Sequence, residues 1–370
     1  MKSFLLKVLL FSAPVVVLFI FPFIIFLLGG EFLPISTVIE RQKEDSSVLY
    51  LSRFTSATDR PLKLLGTESK NPEVVVIGTS RTLTFQSNFF KDSDVFYNAG
   101  YNADSTLHVS DLSAYVNNIS PNSNLRVILL DMSSYLTNPS DNSQDNSVTY
   151  NPLALFLTTG WRDIYLDYLE GRFTLREFLS AVSSNHNIGL TAVLHQEGYR
   201  ADGSLDRGTY AEIESTRANI PAGIANAVSL INSGQAASLG YAPSLSGANI
   251  TGIEDFLALC KSRNIYVIGY LSPYALEIYH EMESLQDASG SAYRSVPSVL
   301  QPLFQKEGFN FYDMRDLSSI GSSDAELYDP EHSTEKATIR LLLFLAAKEP
   351  KLNADIDAAA LKQKLAAEPF

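Results

Sequence analysis

The chain has 370 residues, 45% hydrophobic and 19% charged, a composition that excludes a disordered polymer. Its formal charge of -13 repels polyanions, so nucleic acid is not an expected partner. A single cysteine, Cys260, excludes an internal disulfide, and a chain of this size can bury an adequate core without one.

The first element is apolar. Val8 to Leu28 is 21 residues without a charge. As a helix it would be about 32 Å long, enough to cross a bilayer core. Pro14 and Pro22 lie inside it, as membrane helices tolerate. A cleaved signal peptide is the alternative, but Gly29-Gly30-Glu31-Phe32 makes a poor cleavage site. Residues 1–30 are therefore expected to be an uncleaved anchor. Lys2, Lys7 and the amino terminus precede the span, and Glu31 follows it. This bias places the N-terminus inside and the bulk outside the cytoplasmic membrane, periplasmic or extracellular.

Residues 31–70 read as a linker with some helix. Residues 71–350 then alternate strands with helices. Val74 to Ile77 is a short β-branched run of the kind that forms buried parallel strands. Val95 to Asn98 is a second strand and Leu125 to Leu130 a third. A helix over Ser105–Asn117 separates them. Ile265 to Leu271 follows a helix from about Gly252 to Arg263. Phe309 to Tyr312 follows one from about Pro297 to Glu307. Thr334 to Lys348 is a closing helix with Ser333 as candidate N-cap. The rhythm predicts an α/β fold with a five-stranded parallel sheet and helices on both faces.

The interval between the third and fourth strands is too long for one crossover. Residues 137–250 read as a mainly helical insertion at the C-terminal edge of the sheet, where open α/β sheets place ligand sites. Such an insertion either shapes a substrate groove or is a packing subdomain. Residues 351–370 form an alanine-rich, charged tail. No internal repeat is visible. Cys260, on the apolar face of Phe256-Leu257-Ala258-Leu259-Cys260, reads as buried packing.

Two separated stretches carry the chemistry. Ile77-Gly78-Thr79-Ser80-Arg81 directly follows the first strand, and a serine on such a turn is an exposed nucleophile. Tyr328-Asp329-Pro330-Glu331-His332 precedes the last helix, with an aspartate three residues before a histidine. Taken singly, Ser80 and His332 could each merely cap a helix. Together they lie at one edge of a doubly wound sheet and supply a triad. Ser80 attacks, His332 moves its proton, and Asp329 orients the imidazole. Arg81 could bind an anion or hold the turn. Asp131 could orient Arg81 or cap a loop. Tyr274 could contact substrate or pack. His108, His186, His195 and His280 show no ligand spacing, so neither a metal nor another cofactor is expected. The turn-rich residues from His195 to Arg200, with Asp202-Gly203, could line the groove or form a solvated loop.

With Gly78-Thr79-Ser80 and Asp329-Pro330-Glu331-His332, the chain resembles the SGNH (GDSL-like) hydrolase superfamily. The resemblance covers about 71–138 and 251–348. It implies a flavodoxin-like, SGNH-type three-layer sandwich and serine ester chemistry. The family's second stretch is similar to Asn98-Ala99-Gly100-Tyr101-Asn102-Ala103-Asp104-Ser105, with Ala103 where the family has its oxyanion glycine. The third is similar to Leu130-Asp131-Met132-Ser133-Ser134-Tyr135, with Ser133 or Ser134 where the family has an asparagine. With the anchor, the chain is similar to relatives that modify surface polymers, the alginate O-acetylation and lipoteichoic acid D-alanylation proteins. The resemblance implies an esterase or O-acyltransferase acting on a cell-envelope glycan, with a membrane acyltransferase as a possible partner. The alternative is a non-catalytic envelope protein that binds such a polymer or enzyme.

Overall fold

The structure is a computed structural model and describes residues 2–101, 109–133, 151–236, 239 and 242–367. By its internal contacts the chain forms two compact units. The first comprises Met1–Leu62, Val148–Ala201 and Asp206–Thr209. The second comprises Lys63–Ser147, Asp202–Leu205 and Tyr210–Phe370. The stretch 137–250, read above as one insertion, is thus divided between them.

In the second unit, β1 (Val74–Ile77), β2 (Phe96–Asn98), β3 (Val127–Asp131), β6 (Tyr266–Leu271) and β7 (Asn310–Asp313) form one sheet in the order β2-β1-β3-β6-β7. All pairings are parallel. This is the strand order of flavodoxin-like sheets, with the topological switch between β1 and β3. Two further strands, β4 (Glu197–Tyr199) and β5 (Leu205–Arg207), form a separate two-stranded sheet.

Strands β1, β2, β3 and β6 are buried on both faces because successive side chains feed different cores, while the edge strand β7 stays partly exposed. Val74, Val76, Val127, Leu129 and Ile268 join one apolar cluster with Ile224, Ile278 and Leu342. Val75, Ile77, Ile128, Leu130 and Val267 join the other with Leu112, Phe256 and Phe304. Helices Ile220–Asn232, Leu276–Ser284 and Glu335–Lys348 supply the first cluster. Helices Val109–Asn118, Gly247–Ser262 and Ala288–Glu307 supply the second. Cys260 is buried there, and burial pushes its thiol up to about 12.

Two boundaries differ from the sequence reading. The helix expected from Pro297 begins at Ala288 and runs through Pro297 and Pro302. Asp287 caps it by accepting from Gly290 N at 2.8 Å, and Tyr293, Val296, Leu300 and Phe304 bury one face. That burial outweighs the local cost of the prolines. The closing helix has Thr334, not Ser333, at its N-cap, and the Thr334 hydroxyl is turned away to donate to Glu326 O at 2.9 Å. The tail contains helix Ala358–Ala367, with Leu352, Ile356 and Leu361 in the first cluster. The start of the helix expected at Ser105 lies outside the described residues.

Asp202-Gly203 covers the edge of β2. Asn98 N donates to Asp202 O at 2.7 Å, and Leu205 N donates to Leu83 O at 2.9 Å. Gly203 has φ +78°, and a Cβ there would sit 2.2 Å from Asn98 O. Only glycine fits that left-handed close approach. This protects an edge strand that would otherwise present open hydrogen-bonding groups.

In the first unit, Lys2–Leu28 is one helix of 27 residues. Among the described residues, no helix is long and apolar enough to cross a membrane. The side chains at 15–17, inside the apolar stretch, lie outside the described ones. The C-terminal half of this helix packs on 156–168. Phe19 meets Trp161 with ring centroids 5.0 Å apart, Phe21 meets Tyr165 at 5.6 Å, and Phe26 meets Phe156 at 5.1 Å. Glu31, just beyond the helix, is buried and accepts from Ser52 Oγ, Arg53 N and Leu190 N at 2.6, 3.0 and 2.7 Å. Burial raises its pKa, and those donors partly offset the rise. The segment read as a linker contains helices Ile35–Glu44 and Thr55–Lys70.

Candidate active site

The site is built at the C-terminal edge of the sheet, from the ends of β1, β3 and β6 and the loop before helix Glu335–Lys348. Gly78 ends β1. A Cβ on it would lie 2.8 Å from Asp131 Cβ and 2.5 Å from Thr82 Cγ2, so the chain can turn tightly only because the residue is small. The turn that follows, Ser80–Thr82, is a single 3₁₀ turn held by Thr82 N to Thr79 O at 3.0 Å. Asn98, at the end of β2, fixes it from beneath. Its amide donates to Thr82 O and Phe85 O at 2.8 and 2.9 Å, and its Oδ1 accepts from Gly100 N at 2.9 Å.

The histidine loop is equally constrained. Asp329 Oδ1 accepts from Glu331 N at 2.9 Å and His332 N at 3.0 Å, which makes the loop a tight Asx-type turn. Tyr328 N closes it on His332 O at 2.8 Å, and Ala275 N holds Pro330 O at 3.0 Å. Helix Ile220–Asn232 passes close behind, since a Cβ on Gly223 would lie 2.8 Å from Pro330 Cγ. This part of the 137–250 stretch, expected at the C-terminal edge of the sheet, thus backs the histidine loop.

These two segments bring Ser80, His332 and Asp329 together. Ser80 Oγ lies 2.7 Å from His332 Nε2. His332 Nδ1 lies 2.7 Å from Asp329 Oδ2 and 2.8 Å from its Oδ1. With the carboxylate accepting from Nδ1–H, Nε2 is left as the acceptor of the serine proton. The serine is largely buried at 9% exposure, while His332 and Asp329 side chains stay 20% and 32% exposed.

Arg81 is turned inward. Its guanidinium donates to Ser272 O at 3.2 Å, to Pro273 O, and through Nε to Glu331 O at 3.2 Å. It stacks on the Tyr274 ring at 3.8 Å. Burial opposes its charge, but Tyr274, Asp131 and Glu331 around it raise its pKa above the usual arginine value. Arg81 therefore ties the Ser80 turn to both the loop after β6 and the histidine loop. Tyr274 is buried, with its hydroxyl 3.3 Å from Leu239 O, and packs rather than facing solvent.

Asp131 caps the turn after β3. Its Oδ1 accepts from Ser133 N at 3.1 Å, from Ser133 Oγ, and from Ser272 N at 3.3 Å. Ser133 Oγ also accepts from Ser272 N at 2.9 Å. The hydroxyl proton of Ser133 is thus committed to Asp131 and is not offered as an oxyanion donor. Ala103 and Ser134 lie outside the described residues.

Glu331 is a site residue that the sequence reading passed over. Burial raises its carboxyl pKa, while Arg81 and His332 oppose the rise. Its position between Asp329 and His332 was visible; its inward environment was not. His195 to Arg200 fall in the first unit, where Arg200 pairs with Asp206 at 2.8 Å. Among the described residues no group of three or more His, Cys, Asp or Glu side chains could hold a metal ion. No family model, curated protein or solved structure matches the chain.

Proposed function

We propose that the protein is a serine acyl-ester enzyme of SGNH type, held at a membrane by its N-terminal helix and acting on a cell-envelope glycan. The observation that carries the reading is the Ser80–His332–Asp329 arrangement, with both contacts at 2.7 Å. Ser80 Oγ attacks the ester carbonyl while His332 Nε2 takes its proton. The tetrahedral intermediate collapses, and Nε2–H returns the proton to the departing alkoxide. The acyl group, now on Ser80, passes to water in an esterase or to a sugar hydroxyl in an O-acyltransferase. Asp329 stabilises the imidazolium through both steps. Backbone N–H groups near Ser80 and Ala103 hold the oxyanion. The test is a fluorophosphonate probe read by mass spectrometry. Covalent modification of Ser80, lost in Ser80→Ala and reduced in His332→Ala, is expected. Probe on another residue, or none on a folded protein that still acylates or deacylates glycan, would sink the reading.

One observation favours a second reading, a binding protein without turnover. Ser133 stands where the family's asparagine donor would be, and its hydroxyl is engaged by Asp131. A missing donor of this kind lowers rate by ~10²–10³. A Ser80→Ala protein that keeps full function at normal abundance would select this reading.

The anchor rests on the 21 uncharged residues Val8–Leu28, all within one helix. Lys2 and Lys7 place the N-terminus inside. Protease added to spheroplasts is expected to digest the remainder of the chain, and full protection would reverse the orientation.

A further inference from the structure

We propose that the helical segment 152–184 is a second membrane-contacting element, its leucine face in lipid beside the C-terminal half of the N-terminal helix. The inference rests on the reading of that helix as the anchor. Among the described residues, every exposed large hydrophobic side chain lies either on Lys2–Leu28 or between 153 and 179. The second group is Leu153, Leu157, Leu166, Leu169, Leu175 and Leu179, together with Tyr168, and Leu169 is 78% exposed. These side chains are not needed for internal packing. The same helices bury Phe156, Ile164 and Phe178 in a core shared with Ile25 and Phe26 of the N-terminal helix.

That shared core specifies the occupant of the outer face. The segment lies against Phe19 to Phe26, so it must share the phase in which this part of the N-terminal helix sits. Those positions run from about the middle of the Val8–Leu28 stretch to two residues short of its end, which places the segment in the half of the bilayer that holds the C-terminal end of the helix. Aromatic side chains make much of the contact. Trp161, Tyr165 and Tyr168 pack against Phe19 and Phe21 in tilted and edge-on arrangements. Charge does not drive the contact. Arg162, Arg172 and Arg176 are outnumbered by four acidic residues, Asp163, Asp167, Glu170 and Glu177, in the same segment. Asp167 is already paired with Arg53. Apolar burial in lipid is therefore the driving force, without a requirement for anionic headgroups.

The test uses the full chain reconstituted in phosphatidylcholine vesicles. Cys260 is buried and its thiol is pushed up to about 12, so single cysteines can be labelled without removing it. Leu157→Cys and Leu169→Cys report on the segment, Phe11→Cys on the N-terminal helix, and Ser298→Cys on an exposed position of the second unit. Each carries an environment-sensitive dye, quenched either by nitroxide lipids or by aqueous iodide. Dyes at 157 and 169 are expected to be quenched by nitroxides and to be at least threefold less accessible to iodide than the dye at 298. If 11 is quenched by nitroxides but 157 and 169 behave like 298, the anchor survives and this inference fails. If 11 also behaves like 298, the anchor reading itself fails and takes this inference with it. Protection at 157 and 169 that ignores nitroxides and disappears on dilution would mean a second copy covers the face, which also overturns it.

Discussion

The two units dispose of their apolar side chains in opposite ways. In the second, strands such as Val74–Ile77 and Val127–Asp131 are buried on both faces, and the unit has no exposed large hydrophobic among its described residues. In the first, Phe156 and Phe178 are buried while Leu153, Leu157, Leu169 and Leu179, on the same helices or the turn that follows, are exposed. A sheet sandwiched by helices satisfies its hydrophobic surface internally. A helical layer with apolar residues on both sides needs another apolar phase. The polar edge carrying Ser80 and His332 thus belongs to one unit, and the exposed apolar faces to the other.

This separation can be broken by experiment. The largest expected effect is that of Ser80→Ala, which should lower turnover of a small soluble ester by ~10³-fold or more. Leu169→Glu should leave that turnover within twofold, since it lies in the other unit. The double change Ser80→Ala with His332→Ala should be little worse than either alone, because both act on one step. A large loss of soluble-ester turnover in Leu169→Glu would show that the units do not divide the work.

Stability should show the same contrast. Leu342 is fully buried against the sheet, so Leu342→Ala should destabilise by about 3 kcal/mol in chemical denaturation. Leu169→Ala, at an exposed site, should stay within about 0.5 kcal/mol in detergent. Equal costs would mean that the leucine face is covered within the protein itself.

Arg81→Ala should lower kcat by about 10²-fold with little change in KM, because small displacements of catalytic groups are costly. Arg81→Lys should recover little, since one ammonium cannot span Ser272, Pro273 and Glu331 as the guanidinium does. A pure KM effect would instead make Arg81 a substrate ligand.

The smallest expected effect concerns the support of the histidine loop. Burial opposes the charge of Glu326, but hydrogen bonds from Arg340 and Ser322 outweigh it and hold the carboxyl below 4.5. The folded state therefore gives up this proton more readily than the unfolded chain. The stabilisation is present above pH 4.5 and is lost as pH falls through the lowered value. Arg340→Ala should cost about 1 kcal/mol at pH 7, a partly screened ion pair, and the gap from wild type should close on acidification. A gap that persists at low pH would indicate lost packing instead.

Much of the sheet was legible because buried parallel strands are continuous apolar runs, as Val-Val-Val-Ile at 74–77 illustrates. The Asp329-to-His332 relation was legible because it is local: three residues suffice for the carboxylate to bind both the loop backbone and the ring. The direction of Arg81 was not, because its partners lie about 190 and 250 residues away. Nor was the helix start at Ala288, since local proline signals at 297 and 302 are overridden by burial of one face.

The sequence by itself determined the alternation of strands and helices, the apolar N-terminal stretch and the chemical types available at the strand ends. Those follow from short-range periodicity, backbone propensity and side-chain functional groups. Only the tertiary structure decided that 148–201 joins the N-terminal helix while 210–250 joins the sheet. It alone placed Ser80 Oγ 2.7 Å from His332 Nε2 across 252 residues, and turned Ser133 toward Asp131. Such pairings depend on which apolar surfaces find each other over long loops, a global choice that no local window of residues contains.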